Sequence, residues 1–281
     1  MNYDFTLVSI FSEFLNSDFE KTITKDITNL LETGVTPCLA LQIFIGESAG
    51  LETFGKDRKF FSENFPKAIK ELNAEDYFLN DYYKSVKFKP QKIGDVELCY
   101  DKYSKYEPFV FDDLTCDLNG MVIPKIGFFN QEFTYPAIKE NGVIWMTVTP
   151  NEINTMKKPI QKARGKVLTL GLGLGYFAYC ASQKTKVEKV VVVEKNDKII
   201  EIFKSFVLPF FSLPEKIEII KSDAFDFLEN PSENEFDLVF CDLWHDVSDG
   251  LTLSKKIKQY EKNFPSAEFL YWIEQSIKFY E

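Results

Sequence analysis

After residue 165 the chain alternates short apolar runs with segments of helical spacing, and this alternation limits the possible folds more than any other feature. The runs KVLTL, KVVVVE, KIEIIKSD and FDLVFCD are apolar at most positions. Strands of this kind belong in a parallel sheet that helices cover on both faces. Residues 151–281 are therefore predicted to form a doubly wound, mostly parallel, Rossmann-like α/β domain. The short remainder after the fourth strand favours a sheet of five strands.

Residues 1–150 show a different pattern. Apolar positions follow helical spacing up to about residue 85, and β-favouring runs such as VELCY, PFVF and VIWMTV follow from about residue 93. This predicts an N-terminal domain of helices and a small, largely antiparallel sheet. Thr149, Pro150 and Glu152 have the spacing of a capping box with proline at the first helical position. We place the domain boundary there. Trp145 and Tyr135 are candidates for a lid over a ligand site, although aromatic residues in such a chain more often belong to the core.

The amino-acid composition limits the classes of molecule that the protein is expected to bind. The 281 residues include 33 Lys+Arg and 43 Asp+Glu, for a net charge of −10. This balance argues against nucleic acid, and no apolar run is long enough for a membrane span. We expect a cytoplasmic protein with a small-molecule partner, no nucleic acid or membrane partner, and a homodimer as a candidate assembly. A single histidine and five cysteines without a CxxC pair exclude the usual zinc sites, so no metal is expected.

A glycine-rich loop follows the first strand of the predicted parallel sheet. It contains Gly171, Gly173 and Gly175 and leads into Tyr176. Glycine permits unusual backbone angles and a close approach between backbone and ligand. A dinucleotide fingerprint needs glycine or alanine at position 176, and a phosphate-binding P-loop needs a following Lys-Ser/Thr pair. The loop therefore favours a nucleoside ligand without a diphosphate.

Acidic residues close the next three strands. Glu194 ends the second strand, Asp223 follows the third, and Asp242 follows the fourth. Ligands of open parallel sheets bind at the carboxyl ends of the strands, so these acids and the glycine loop are predicted to form one pocket. Glu194 is placed to accept hydrogen bonds from both ribose hydroxyls. Asp223 is equally suited to cap the helix that follows it.

The ordered motifs VLTLGLGLGY, VVVVEK, SDA and FDLVFCDLW resemble those of class I S-adenosylmethionine-dependent methyltransferases. The resemblance covers residues 166–250 and implies S-adenosylmethionine as the cofactor. It implies that Gly171, Gly173 and Gly175 pack against the methionine part and the ribose, and that Glu194 binds the ribose. Asp223 and Ala224 would then contact the adenine edge. Asp242 would face the sulfonium and the acceptor, with Tyr176 and Trp244 as aromatic faces near the sulfonium.

The linker from Glu152 to Met156 and the DLWHDVSDG segment also resemble the spermidine synthase group. The glycine loop and the segment after the fourth strand depart from that group at Leu174 and at Asp249-Gly250. Methyl transfer to a small acceptor, with cations among the candidates, is the leading hypothesis. Asp242, His245 and Asp246 are its candidate catalytic residues, as acceptor-binding groups or proton acceptors. Aminopropyl transfer and a non-catalytic nucleoside-binding role remain alternatives.

Overall fold

The structure, a computed structural model, describes residues 6–17, 23–229 and 235–281. Within these ranges no helix is both long enough and apolar enough to cross a bilayer. The α-helices are α1 Thr6–Leu15, α2 Ile23–Leu31, α3 Pro37–Ser48, α4 Arg58–Ala68, α5 Ala74–Phe78, α6 Asp81–Ser85, α7 Pro150–Thr155, α8 Lys157–Lys162, α9 Tyr176–Ser182, α10 Asp197–Ile202, α11 Ala224–Glu229, α12 Val247–Lys258 and α13 Glu274–Tyr280. The strands are β1 Ile69–Glu71, β2 Gln91–Ile93, β3 Val96–Tyr103, β4 Phe109–Cys116, β5 Val122–Phe128, β6 Phe133–Glu140, β7 Val143–Thr147, β8 Gly165–Leu170, β9 Val187–Glu194, β10 Ile217–Lys221, β11 Leu238–Cys241 and β12 Glu268–Tyr271.

The chain divides into two compact units. The first contains the residues up to Tyr77 together with Lys102–Thr134, and the second contains Phe78–Asp101 and Tyr135–Glu281. The compact units thus divide the chain at positions other than the predicted domain boundary near residue 150, which stays a prediction.

The first unit has a helical core of its own. Phe11, Ile27, Leu41 and Phe65 are almost completely buried in one apolar cluster. A three-stranded sheet in the order β1-β5-β4 accompanies the helices, with β1 parallel and β4 antiparallel to β5. The strand β1 lies in the region predicted to be helical. It is a short extended run that directly follows α4 and is paired with β5, which comes much later in the chain.

The β-rich region forms two sheets rather than the single small sheet expected from the sequence. The second of them has four strands in the order β2-β3-β6-β7, and the pairs β2/β3 and β6/β7 are antiparallel. The runs PFVF and MVIPKIGFF belong to β4 and β5, which pair with each other, and β5 also pairs with β1. The runs VELCY, FTYPAI and VIWMTV belong to the other sheet. At its edge, β7 exposes the side chains of Val143, Ile144 and Trp145.

The second unit contains the predicted parallel sheet. Five strands lie in the order β10-β9-β8-β11-β12, and each strand runs parallel to its neighbours. The three inner strands β9, β8 and β11 carry mainly buried valine, leucine and phenylalanine residues. The predicted α/β fold with five parallel strands is therefore confirmed. Because the chain places β9 and β10 on one side of β8 and then β11 and β12 on the other, the carboxyl ends of β8 and β11 border the crevice where ligands of such sheets bind.

Candidate functional site

A cavity of ≈ 460 Å3 lies at the carboxyl ends of the parallel strands, and all of its lining residues belong to the second unit. The lining includes residues of the β7 strand, the glycine loop, the ends of β9 and β11 and the segment after β10. Of the residues predicted for the site, the cavity is lined by Gly171, Gly173, Tyr176, Glu194, Asp223, Ala224, Asp242, Trp244 and His245. The structure thus brings together most of the residues that the sequence singled out.

The three loop glycines have different surroundings. At Gly171, with φ +96°, an added Cβ would lie 2.1 Å from the carbonyl oxygen of Asp242, so only glycine permits this approach of two strand ends. At Gly173, with φ +52°, the nearest atom to an added Cβ is the Sδ of Met146 at 3.9 Å. Gly173 therefore presents open backbone to the cavity.

Gly175 was predicted to pack against the ligand, and its contact in the structure is with the protein. An added Cβ would lie 2.3 Å from Cε2 of the Phe203 ring. The residue stands at the N-cap of α9. Close packing of this helix start against Phe203 accounts for glycine at this position.

Glu194 is buried, with 8% of its surface exposed. Its Oε2 accepts the backbone N–H of Leu172 at 3.2 Å, and its Oε1 accepts the backbone N–H of Asn196 at 2.8 Å. The carboxylate therefore fixes the glycine loop to the end of β9. Because a carboxylate has about four acceptor positions, it retains capacity for donors in the cavity.

Asp223 plays the capping role that the sequence allowed and also lines the cavity. Its Oδ1 accepts the backbone N–H of Phe225 at 2.8 Å, directly before α11. Ala224 is buried and lines the cavity beside it. The two readings of Asp223 are compatible in the structure.

Asp242 differs from the other acids of the cavity. Among the described residues its carboxylate has no hydrogen bond and no ion pair, although its backbone N–H donates to the carbonyl of Leu170 at 3.0 Å. Burial, and then the charge of Glu152, raise the pKa of Asp242 to about 7. A carboxyl group without a partner, with a pKa near neutrality and in a cleft, is the pattern of a functional acid or base.

Glu152 lines the same cavity and was predicted only as part of a capping box. Its Oε1 accepts the hydroxyl of Thr147 at 3.0 Å, and its Oε2 accepts the backbone N–H of Thr149 at 2.8 Å and the hydroxyl of Thr149. The capping box is thus confirmed. Burial raises the pKa of Glu152, and the bonds from the two threonines oppose that rise.

Two aspartates in the segment after β11, Asp246 and Asp249, have different positions relative to the cavity. The Oδ1 of Asp246 accepts the backbone N–H of Ser248 at 2.6 Å, so Asp246 is the N-cap of α12, and the hydrogen bonds from Ser248 lower its pKa. Asp246 is exposed, and the lining residue is Asp249, one helical turn later. Asp249 accepts the backbone N–H groups of His245 and Asp246 at 3.2 Å each. The predicted site acid at position 246 is therefore a capping residue, and Asp249 takes its place beside the cavity.

All three tryptophans of the chain line the cavity. Trp145 on β7 is 44% exposed, and its ring centroid lies 4.1 Å from that of His245 at an interplanar angle of 84°. Trp244 is buried and stacks on Tyr271, and its Nε1 has no hydrogen-bond partner among the residues that the structure describes. The Nε1 of Trp272 donates to the hydroxyl of Thr155 at 2.9 Å. The sequence analysis does not assign Trp272 to the site. Its position directly after the fifth strand is the signal that could have placed it there.

A group of tyrosines lies beside the glycine loop. The hydroxyl of Tyr82, a fully buried residue of α6, donates to the carbonyl of Leu174 at 2.7 Å. The amide of Asn80 donates to the hydroxyl of Tyr176 at 3.0 Å, and burial raises the pKa of that hydroxyl. The ring of Tyr176 packs edge-on against Tyr82, with centroids 5.5 Å apart. Tyr135 is buried in β6 and is not among the cavity-lining residues.

Comparison of the chain with models of known protein families finds no match. An uncharacterized protein of Methanocaldococcus jannaschii is 27% identical over an alignment of 207 residues, which covers 65% of this chain and 69% of the relative.

Two solved O-methyltransferases are similar to part of the chain. One is the Streptomyces achromogenes enzyme involved in tomaymycin synthesis, in complex with S-adenosylmethionine: 18% identity, TM-score 0.31, 38% of this chain and 48% of that chain. The other is the Bacillus cereus enzyme in complex with S-adenosylhomocysteine: 20% identity, TM-score 0.31 and the same coverage. The chain thus spans about half the length of these solved proteins. Because both TM-scores are low, the fold assignment rests on the strand order and register.

Proposed function

We propose that this chain is an S-adenosylmethionine-dependent methyltransferase that acts on a small, preferably cationic acceptor. The observation that supports the proposal is the convergence of Glu194, Asp223 and Asp242 on one cavity beside the open backbone of Gly173. These residues follow three different strands of the parallel sheet. Their convergence provides one end for a nucleoside and another for an acceptor.

The nucleoside end fits the ligand in shape and in hydrogen-bonding capacity. Glu194 uses two of its acceptor positions on backbone N–H groups, and its remaining positions would accept the two ribose hydroxyls. Gly173 leaves room for the ligand because a side chain there would enter the cavity. Asp223 and Ala224 would flank the base.

The other end of the cavity carries the reactive groups of the chain. When bound, S-adenosylmethionine supplies a methyl group on a positively charged sulfur. The chain contributes position and electrostatics, which provide most of the catalysis in a displacement of this kind. Asp242 faces the reacting end and accepts a proton from the acceptor at its carboxylate. His245, exposed and packed against Trp145, is the second candidate for that proton.

The test is the binding of S-adenosylhomocysteine, measured by calorimetry. Glu194→Gln removes the charge from the ribose contacts while keeping the size of the side chain, and we expect it to raise the dissociation constant by about 10-fold to 100-fold. Glu188→Gln, at an exposed position of the same strand β9, is the matched control and should leave the affinity unchanged. Absence of binding by the parent protein, or equal affinities in the two variants, would contradict the proposal.

Aminopropyl transfer is the second candidate. Among the described residues, five acidic side chains line the cavity, Glu152, Glu194, Asp223, Asp242 and Asp249, and Lys195 is the one lysine or arginine beside them. Such a lining suits decarboxylated S-adenosylmethionine, which has lost its own carboxylate. Tighter binding of the decarboxylated nucleoside than of S-adenosylmethionine would favour this reaction. Binding of either nucleoside without turnover of any metabolite pool would favour a non-catalytic role.

A further inference from the structure

The lining of the cavity is rich in aromatic surface. Trp145, Trp244 and Trp272 come from three separate parts of the chain, yet all three line this cavity. Trp145 is half-exposed on an edge strand, so packing in a core does not account for it. The rings of tryptophan bind cations more strongly than those of the other aromatic residues, and groups of such rings recognise alkylated ammonium ions.

The charges of the cavity lining have the matching sign. Asp242, Glu152 and Asp249 line the cavity, and the side chains of Glu152 and Asp249 also accept backbone N–H groups at helix starts. Lys195, the basic residue of the lining, directly follows Glu194 and so lies at the nucleoside end. A neutral acceptor would gain little from three carboxylates, whereas a cation would be attracted to them.

We propose that the acceptor is an alkylated amine, whose cationic nitrogen binds between the tryptophan rings and the carboxylate of Asp242. This inference rests on the proposed methyltransferase function and names the substrate class of the same cavity. The alkyl groups of the amine contact the rings, and the charge faces Asp242. An amine that arrives protonated must lose a proton before its nitrogen can accept a methyl group, and the carboxylate of Asp242 receives that proton.

The test uses the fluorescence of the three tryptophans, all of which line the cavity. The protein is first saturated with S-adenosylhomocysteine and then titrated with choline or with 3,3-dimethyl-1-butanol, which has the same shape without the charge. We expect choline to quench the fluorescence saturably, with an affinity about 10-fold higher than that of the alcohol. Equal affinities, or no saturable response to choline at millimolar concentrations, would overturn the inference.

Two pairs of variants assign the preference to named residues. Asp242→Asn should abolish most of the preference for choline, whereas Asp246→Asn, at the exposed helix cap, should preserve it. Trp145→Leu should weaken choline binding and Trp145→Phe should retain part of it, because phenylalanine keeps an aromatic ring. Position 145 is half-exposed, so both substitutions are compatible with folding. If S-adenosylhomocysteine binds and these preferences are absent, the amine class is wrong while the proposed function stands; if S-adenosylhomocysteine itself does not bind, the proposed function fails.

Discussion

Replacing Asp242 with asparagine should stabilise the protein at neutral and alkaline pH. The carboxyl group lies at the end of β11 without a hydrogen-bond donor among the described residues, and it faces the charge of Glu152. Its negative charge therefore lacks compensation in the folded state. Asparagine has nearly the same shape and no charge at any pH, so the substitution removes the cost of ionisation while preserving the packing.

The size of the effect follows from the pKa. Burial and Glu152 raise the pKa of Asp242 from 3.8 to about 7, and each tenfold change in proton affinity corresponds to about 1.4 kcal/mol. Because this pKa is raised in the folded state, the parent protein loses stability as the pH rises from about 4 to about 7. The total loss is about 4 kcal/mol, and it is complete above pH 7.

The measurement is urea unfolding followed by tryptophan fluorescence, which reports the second unit because all three tryptophans belong to it. Parent and Asp242→Asn proteins are compared at several pH values between about 4 and 8, with free energies from linear extrapolation. The new amide changes the free energy of unfolding by the same amount at every pH, because it does not titrate in this range. We therefore expect the difference in free energy of unfolding to change by about 4 kcal/mol in favour of the variant across this range.

Asp246→Asn is the matched control. Asp246 is exposed and accepts hydrogen bonds from Ser248, which lower its pKa. Its contribution to stability is therefore lost as the pH falls, in the opposite sense to Asp242. Asparagine caps helices nearly as well as aspartate, so the effect should be small. A difference between parent and Asp242→Asn that stays constant with pH, or that grows in favour of the parent, would refute the reasoning about Asp242.

Three further predictions concern the glycine loop. The Gly173→Ala protein should fold and should bind S-adenosylhomocysteine at least about 10-fold more weakly, because the new Cβ projects into open space in the cavity. If calorimetry finds undiminished affinity, the ligand binds elsewhere. Gly175→Ala should instead lower the free energy of unfolding by about 2 kcal/mol or more, since its Cβ would overlap Phe203, and a urea midpoint equal to that of the parent would count against this contact. Tyr82→Phe deletes the hydroxyl that donates to Leu174 and should cost about 1 kcal/mol of stability, together with a severalfold loss of nucleoside affinity; if stability falls while affinity is unchanged, the tyrosine supports the fold but not the loop.

The sequence was sufficient for the parts of the site that depend on local patterns. Apolar runs separated by helical segments predicted the parallel sheet, and the acids at the strand ends predicted one pocket. The spacing of Thr149 and Glu152 predicted a capping box that the structure contains. In each case a short stretch of chain carries the whole signal, because period, cap and strand end are local properties.

Contacts between distant segments could not be predicted in this way. Tyr82 and Leu174 are 92 positions apart, and their hydrogen bond leaves no mark in either local pattern. The same holds for Gly175 and Phe203, so the sequence alone could not separate a glycine that packs against protein from one that faces the cavity. At Asp246 and Asp249 a local signal did exist, since their spacing is that of a capping box.

The acids of the cavity also show how structural and functional requirements overlap at strand ends. Glu152, Asp223 and Asp249 accept backbone N–H groups at the beginnings of α7, α11 and α12, and Glu194 accepts two more at the glycine loop. Helix starts leave N–H groups without partners, and these starts occur where strands end. The fold by itself therefore accounts for four carboxylates at the cavity. Asp242 accepts no such bond among the described residues, and burial, which raises the pKa of its carboxyl group, disfavours the charged form. Of the five acids, Asp242 is therefore the one that no hydrogen bond within the described residues accounts for.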